Sequence, residues 1–159
     1  MTAPAKNSTA PDVQSLVLSA DVLETILHHL QEWLPNEGCG LLAGNIDAYG
    51  GGLAVRFYPG SNVLYSPTRY RMADPEVIMA MRSIREANHE LLAIVHSHPR
   101  TPPRPSATDL AELHYPRAAM LIVSFADTVP SLQAWRSGPP MYAIPVRAQH
   151  AIQHGCVFL

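Results

Sequence analysis

A short apolar strand that ends in two histidines constrains this chain more than any other feature. Residues 91–95 form an unbroken apolar run of buried-strand length, and His96-Ser97-His98-Pro99 follows directly. Because alternate residues of a strand point to the same side, His96 and His98 are expected to face one point. Pro99 and the proline-rich loop after it end the strand. The pattern predicts an α/β protein with a site at the carboxyl end of this strand.

A carboxylate lies a short loop downstream of the histidines. Ser106 is a suitable N-cap for a new helix, which places Asp109 in the first turn of that helix. Two nitrogen ligands and one oxygen ligand, with a fourth position open, are typical of a catalytic zinc site. Two close histidines can also be ordinary surface residues, and Ser106 with Asp109 can form only a capping box. Neither alternative explains why all three groups meet at the end of a buried strand.

The order of these residues resembles the JAMM motif of the catalytic MPN-domain metalloproteases. Seven residues separate His98 from Ser106, and two separate Ser106 from Asp109. The upstream acid of the motif corresponds to Glu37, in the segment Glu37-Gly38-Cys39-Gly40-Leu41-Leu42. That segment is similar to the E-x-C-G-L-L strand of the family, and the resemblance extends over roughly residues 16–146.

The resemblance implies a fold, a cofactor and a reaction. The expected fold is an MPN domain, a mixed β-sheet flanked by helices, with one zinc ion held by His96, His98 and Asp109. Zinc lowers the pKa of a bound water, and Glu37 would act as the general base and acid that transfers its proton to the leaving amine. The Ser106 hydroxyl would stabilise the oxyanion. By themselves, Glu37 could be an exposed acid at a helix–strand junction and Ser106 only a helix cap.

The same resemblance indicates a class of substrate. The chain has little room for the inserted loops of ubiquitin-specific relatives, and it looks like the small stand-alone JAMM peptidases of bacteria. Some of these cut a peptide or isopeptide bond at the C-terminus of a ubiquitin-like or sulfur-carrier protein, after a terminal Gly-Gly. A protein substrate of that kind is therefore the expected partner.

Composition excludes several other classes of protein. The 159 residues suit a single domain, and 47% are hydrophobic. With a net charge of −2 and no basic run, the sequence does not indicate a nucleic-acid partner. No apolar run reaches membrane-spanning length, and no secretory segment is apparent. The two cysteines, Cys39 and Cys156, do not form a disulfide framework, so a cytoplasmic location is expected.

The pattern along the chain divides it into three parts. We expect a flexible leader at 1–14, the metallopeptidase domain at 15–147 and a tail at 148–159. Inside the domain, Ser19 is the expected N-cap of one helix, and Asp74 is the expected N-cap of another. His29 in the first helix is expected to face solvent. The tail is expected to be partly helical, and no function is assigned to His150 and His154.

Three rival functions follow from the same residues. A non-catalytic MPN scaffold would share the fold, but such domains usually lack the ligands that this chain has. A nucleobase deaminase needs H-x-E and C-x-x-C, and neither pattern occurs in this sequence. A cysteine peptidase would have to use Cys39, which lies among glycines in an apparently buried strand and is expected to be an inert thiol.

Overall fold

The computed structural model describes residues 9–112, 114–152 and 155–157. Within these residues, one sheet contains nine strands and is accompanied by three helices. The strands are β1 (Ser15–Ser19), β2 (Cys39–Ile46), β3 (Gly51–Gly60), β4 (Glu90–His98), β5 (Ala119–Ser124), β6 (Ser131–Arg136), β7 (Ala143–Ile144), β8 (Val146–Ile152) and β9 (Gly155–Val157). The helices are α1 (Ala20–Glu32), α2 (Asp74–Glu86) and α3 (Ala107–Ala111).

The sheet is mixed and curved. Its strand order is β7-β6-β5-β4-β2-β3-β1-β8-β9. The pairs β4–β5, β1–β3 and β1–β8 are parallel, and the remaining neighbours are antiparallel. Only Pro145 separates β7 from β8, although these strands lie toward opposite ends of the order, so the sheet must curl to bring them together. The predicted fold class, a mixed sheet flanked by helices, is confirmed.

Alternation along β2 explains how two helices come to lie on opposite faces. Leu42 belongs to the cluster that includes Ile26 and Leu30 of α1, whereas Leu41 belongs to the cluster that includes Ile84 of α2. Neighbouring residues of a strand face opposite sides, so each helix covers one face. Burying a leucine side chain contributes about 1.5–3 kcal/mol to folding. The sheet between the two clusters, including β4, is thus a rigid base for the residues at its end.

The helix starts are nearly as predicted. Ser19 caps α1, and its Oγ accepts a hydrogen bond of 3.2 Å from the amide of Val22. The prediction that Asp74 is the N-cap of α2 is wrong by one residue, because Ala73 occupies that position. The carboxylate of Asp74 pairs with Arg71 at 3.1 Å instead of accepting from the first helical amides.

The predictions for the C-terminal segment and for His29 are wrong. Residues 146–152 form strand β8 rather than a helix, since residues 146–149 pair with β1 and residues 150–152 pair with β9. His150 lies in β8, whereas His154 lies outside the described residues. His29 does not face solvent: its Nε2 lies 3.1 Å from the carbonyl oxygen of Cys39 and 3.0 Å from that of Gly60. It thereby ties α1 to the sheet.

The domain boundaries stay a prediction. The first eight residues of the expected leader lie outside the described residues, but Val13 is buried and its amide bonds the carbonyl of Arg117. Among the helices that the structure describes, none combines the length and apolar character needed to span a bilayer.

Candidate metal centre

The end of β4 carries the two predicted histidine ligands. This strand lies between β2 and β5, with His96 opposite Cys39 on one side and Ile122 on the other. Because the chain is extended here, the rings of His96 and His98 lie on the same side, with centroids 5.0 Å apart. Both residues are buried, so their ring nitrogens are shielded from bulk water.

Asp109 completes a compact triangle of ligand atoms with these rings. The distance between His96 Nε2 and His98 Nε2 is 3.1 Å, and Asp109 Oδ2 lies 3.2 Å and 3.1 Å from them, respectively. Zinc bonds of about 2.0–2.2 Å in tetrahedral geometry would separate ligand atoms by about 3.4 Å. The triangle therefore fits one face of a zinc tetrahedron, and the residues are suitable for holding a metal.

The helix α3 places Asp109 through its N-terminal cap. Ser106 Oγ accepts a bond of 3.0 Å from the amide of Asp109, and Asp109 Oδ2 accepts one of 2.8 Å from the amide of Ser106. The capping box and the ligand triangle are thus not alternatives, since Asp109 Oδ2 takes part in both. The cap fixes the direction from which the carboxylate approaches the histidines.

The pKa shifts of Asp109 and His96 favour metal binding, whereas that of His98 opposes it, because a histidine binds a metal as the neutral ring. Burial raises the pKa of Asp109, but hydrogen bonds from His96 and His98 outweigh it and hold that pKa well below its usual range. Burial lowers the pKa of His96, which favours the neutral ring. For His98, burial lowers the pKa, but the contacts with Asp109 and the carbonyl of Pro102 raise it overall. A carboxylate facing imidazole nitrogens is the donor set that zinc accepts.

Glu37 lies next to this triangle without being part of it. Glu37 is 3% exposed, and its buried Oε2 has no hydrogen-bond partner among the residues that the structure describes. Burial raises the pKa of Glu37 to about 8, and the nearby charge of His98 opposes that rise. A buried carboxyl group with a pKa near neutrality suits a general base or acid. Its unpartnered oxygen is free to bond a water or a substrate group.

Two other residues of the motif segments are structural. Ser97 points away from the triangle, and its Oγ accepts a bond of 2.8 Å from the amide of Gly38. Cys39 is a buried free thiol, and burial raises its pKa to about 12. A thiol of that kind is protonated at neutral pH and is a poor nucleophile, which argues against a cysteine peptidase.

Sequence reasoning missed two residues that contact the site. The ring of Tyr70 stacks on His96, with centroids 4.6 Å apart and an interplanar angle of 21°. Asn62 is fully buried, and its Nδ2 donates to the carbonyl oxygen of Glu37 at 2.9 Å. Both lie between β3 and α2, far from the motif in sequence, and no spacing signal could have identified them.

The sequence is similar to a known protein family and to several characterised proteins. A model of the prokaryotic homologs of the JAB domain matches residues 19–138. The chain is 36% identical over 114 residues to a desampylase of Haloferax volcanii, covering 69% of this chain and 80% of that protein. It is 34% identical over 115 residues to the CysO-cysteine peptidase of Mycobacterium tuberculosis, covering 72% and 77%, respectively.

Solved structures agree with this placement. A solution structure of a protein from Desulfitobacterium hafniense has a TM-score of 0.78 and 30% identity, covering 87% of this chain and 96% of that one. A solution structure of a Salinibacter ruber protein has a TM-score of 0.62 and 31% identity, covering 81% and 89%. These findings confirm the predicted resemblance to stand-alone JAMM peptidases. The chain belongs to the family of prokaryotic homologs of the JAB domain.

Proposed function

We propose that this protein is a zinc-dependent peptidase that cuts a peptide or isopeptide bond at the C-terminus of a ubiquitin-like or sulfur-carrier protein. The observation that carries the proposal is the triangle of His96 Nε2, His98 Nε2 and Asp109 Oδ2, with sides of 3.1–3.2 Å. A complete ligand set beside a buried acid favours an enzyme over a non-catalytic MPN scaffold. One zinc ion per chain is part of the proposal.

In this mechanism, three residues hold the metal and a fourth transfers the proton. His96, His98 and Asp109 would bind zinc, which supplies Lewis-acid activation of water and of a carbonyl group at neutral pH. Glu37 is the proposed base and acid: its buried Oε2 takes a proton from the attacking water and delivers it to the leaving amine. Because no residue in the described part of the chain bonds Oε2, that atom is available for the transfer.

Ser106 is proposed to have two functions. Its Oγ accepts from the amide of Asp109, which uses one lone pair and leaves the hydroxyl proton free to donate. We assign that proton to the oxyanion formed when the carbonyl is attacked. A donor of this type typically stabilises a transition state by about 3–4 kcal/mol. Capping α3 and binding the oxyanion are therefore compatible functions of one hydroxyl.

The substrate class rests on the named relatives. Three relatives are named a desampylase, a CysO-cysteine peptidase and a probable TtuB-protein conjugate cleaving protease, and the last two names state a peptidase or protease activity. For this chain we propose a ubiquitin-like or sulfur-carrier protein as the substrate, as the resemblance to the stand-alone JAMM peptidases implies. A reducing, cytoplasmic location is part of the same proposal and agrees with the free thiol of Cys39.

The test uses a panel of ubiquitin-like and sulfur-carrier proteins that end in Gly-Gly, each extended by one amino acid or by an isopeptide-linked lysine peptide. Intact-mass spectrometry measures release of the extension by the zinc-loaded protein. We expect cleavage directly after Gly-Gly in at least one carrier, and none with His98→Ala. If the zinc-loaded protein binds a carrier without cutting any, the scaffold function replaces this one.

A further inference from the structure

The backbone of Glu37 is held in an unusual way. Glu37 precedes β2, so the regular strand ladder does not fix its peptide groups. Its amide instead donates to the carbonyl of Ser66 at 2.9 Å, and its carbonyl accepts from Asn62 Nδ2 at 2.9 Å. Both partners belong to one segment, residues 61–73, which we call the 61–73 loop. This loop thus supplies the contacts that a neighbouring strand would otherwise make.

Asn62 is the centre of that loop. Its side chain is fully buried, and its Nδ2 also donates to the carbonyl of Arg69 at 3.0 Å. Its Oδ1 accepts from the amides of Leu64 and Arg71, each at 3.1 Å. An amide side chain has two donor hydrogens and two acceptor lone pairs, so its full capacity is used. Three of these bonds close the loop on itself, and the fourth reaches Glu37.

The loop that Asn62 organises is itself anchored to the rest of the protein. Ser61 bonds Glu76 of α2 through its amide at 2.6 Å and its hydroxyl at 2.7 Å. The guanidinium of Arg69 pairs with Glu112, just after α3, at 2.5 Å. Asn62 therefore connects Glu37 to a frame that is fixed at both ends.

We infer that Asn62 is a positioning residue for Glu37: it sets where the carboxyl group lies relative to the ligand triangle. The inference rests on the proposed function, because it assigns Glu37 to proton transfer. A misplacement of about 1 Å in a catalytic group can lower a rate about 100-fold. Asn62 does not touch the triangle through any of its four bonds, so its effect should be on turnover and not on metal content.

The test is the Asn62→Asp variant, which keeps the shape and the acceptor oxygen but loses the Nδ2 donor to the carbonyls of Glu37 and Arg69. We expect kcat per zinc-loaded chain to fall at least tenfold, with KM and the zinc content unchanged. The matched control is Ser137→Ala, which removes a buried side-chain bond to the carbonyl of Ala118 outside the 61–73 loop, and its kcat should stay within about twofold of wild type. If Asn62→Asp does not fold, Asn62→Ser, a smaller and neutral replacement, takes its place.

Hydrogen exchange at the Glu37 amide provides a readout that does not require a substrate. Because Asn62 holds the loop whose Ser66 carbonyl accepts that amide, exchange at Glu37 should be at least tenfold faster in the Asn62 variant and unchanged in Ser137→Ala. A variant that lowers only the unfolding temperature, with wild-type kcat and wild-type exchange, overturns the inference. A wild-type protein that cuts no carrier contradicts the proposed function alone, because the exchange result still decides what Asn62 does.

Discussion

His96 and His98 come from one strand and face one point, but different forces hold their rings. The Nδ1–H of His98 donates to the carbonyl of Pro102 at 2.8 Å. The Nδ1 of His96 is buried and has no hydrogen-bond partner among the described residues. Its ring is instead stacked against Tyr70. One ligand is thus oriented by a directional bond and the other by packing.

The difference shows how the two sides of the metal centre depend on different loops. A hydrogen bond at Nδ1 fixes the tautomer and leaves Nε2 free to bind a metal, which is the usual support of a ligand histidine. The carbonyl of Pro102 lies in a loop held by Ser124 Oγ, 2.6 Å from the carbonyl of Thr101, and by Trp135 Nε1, 2.9 Å from that of Pro103. His96 depends on the 61–73 loop through Tyr70.

The largest effect is expected at Glu37. The comparison of His96 with His98 assumes that the histidines and Asp109, and not Glu37, hold the metal. We expect Glu37→Gln to lower turnover by about 10²–10⁴-fold, because the general base is lost, and to retain zinc at the wild-type ratio. Glu24→Gln, at an exposed position on α1, is the matched control and should be fully active. Loss of zinc in Glu37→Gln would make Glu37 a ligand.

A smaller effect is expected at Tyr70 and would sharpen the comparison. Tyr70→Leu removes the ring that stacks on His96 and fixes its orientation. Zinc affinity should therefore fall about tenfold, within the usual range for loss of a residue that orients a metal ligand. Tyr70→Phe keeps the stacking ring and should bind zinc as the wild type does. Competition with a chromophoric chelator measures both affinities. Equal zinc affinity in Tyr70→Leu and wild type would show that stacking on Tyr70 does not stabilise His96 as a metal ligand.

The smallest effect is expected on the His98 side. Ser124→Ala removes one of the two side-chain bonds that hold the loop around Pro102, and one hydrogen bond contributes about 0.5–1.5 kcal/mol. Because the Trp135 bond still holds the loop, only part of that free energy should be lost at His98, and zinc affinity should fall about two- to fivefold in the same competition assay. Ser137→Ala is the control, because Ser137 makes a similar buried bond to the carbonyl of Ala118 away from the site. A similar decrease in both variants would assign the effect to general loss of stability.

The candidate site was predictable where local geometry determines it. Residues two apart on a strand share a face, so the spacing of His96 and His98 was sufficient to place both rings. Ser106 and Asp109 followed from helix-capping chemistry, which acts over three residues. Glu37 required the family resemblance, since nothing local distinguishes it from an exposed acid.

The remaining errors arose from contacts between distant segments. Asn62 and Tyr70 reach the site from a loop whose conformation depends on bonds to Glu37, Glu76 and Glu112. The tail was expected to be partly helical, but β1 has an edge whose backbone groups pair with residues 146–149. The helical pattern predicted that His29 is exposed, yet two carbonyl oxygens of neighbouring strands accept hydrogen bonds from its ring N–H. Periodicity along the chain carries none of this information.

The most direct test of the central claim is the amount of bound zinc per chain, measured by elemental analysis on untagged protein. We expect about one zinc per chain in the wild type and in His28→Ala, an exposed control on α1, and almost none in His96→Ala, His98→Ala or Asp109→Ala. A folded wild type that takes up no added zinc, or a His98→Ala variant that retains it fully, would contradict the proposed metal centre.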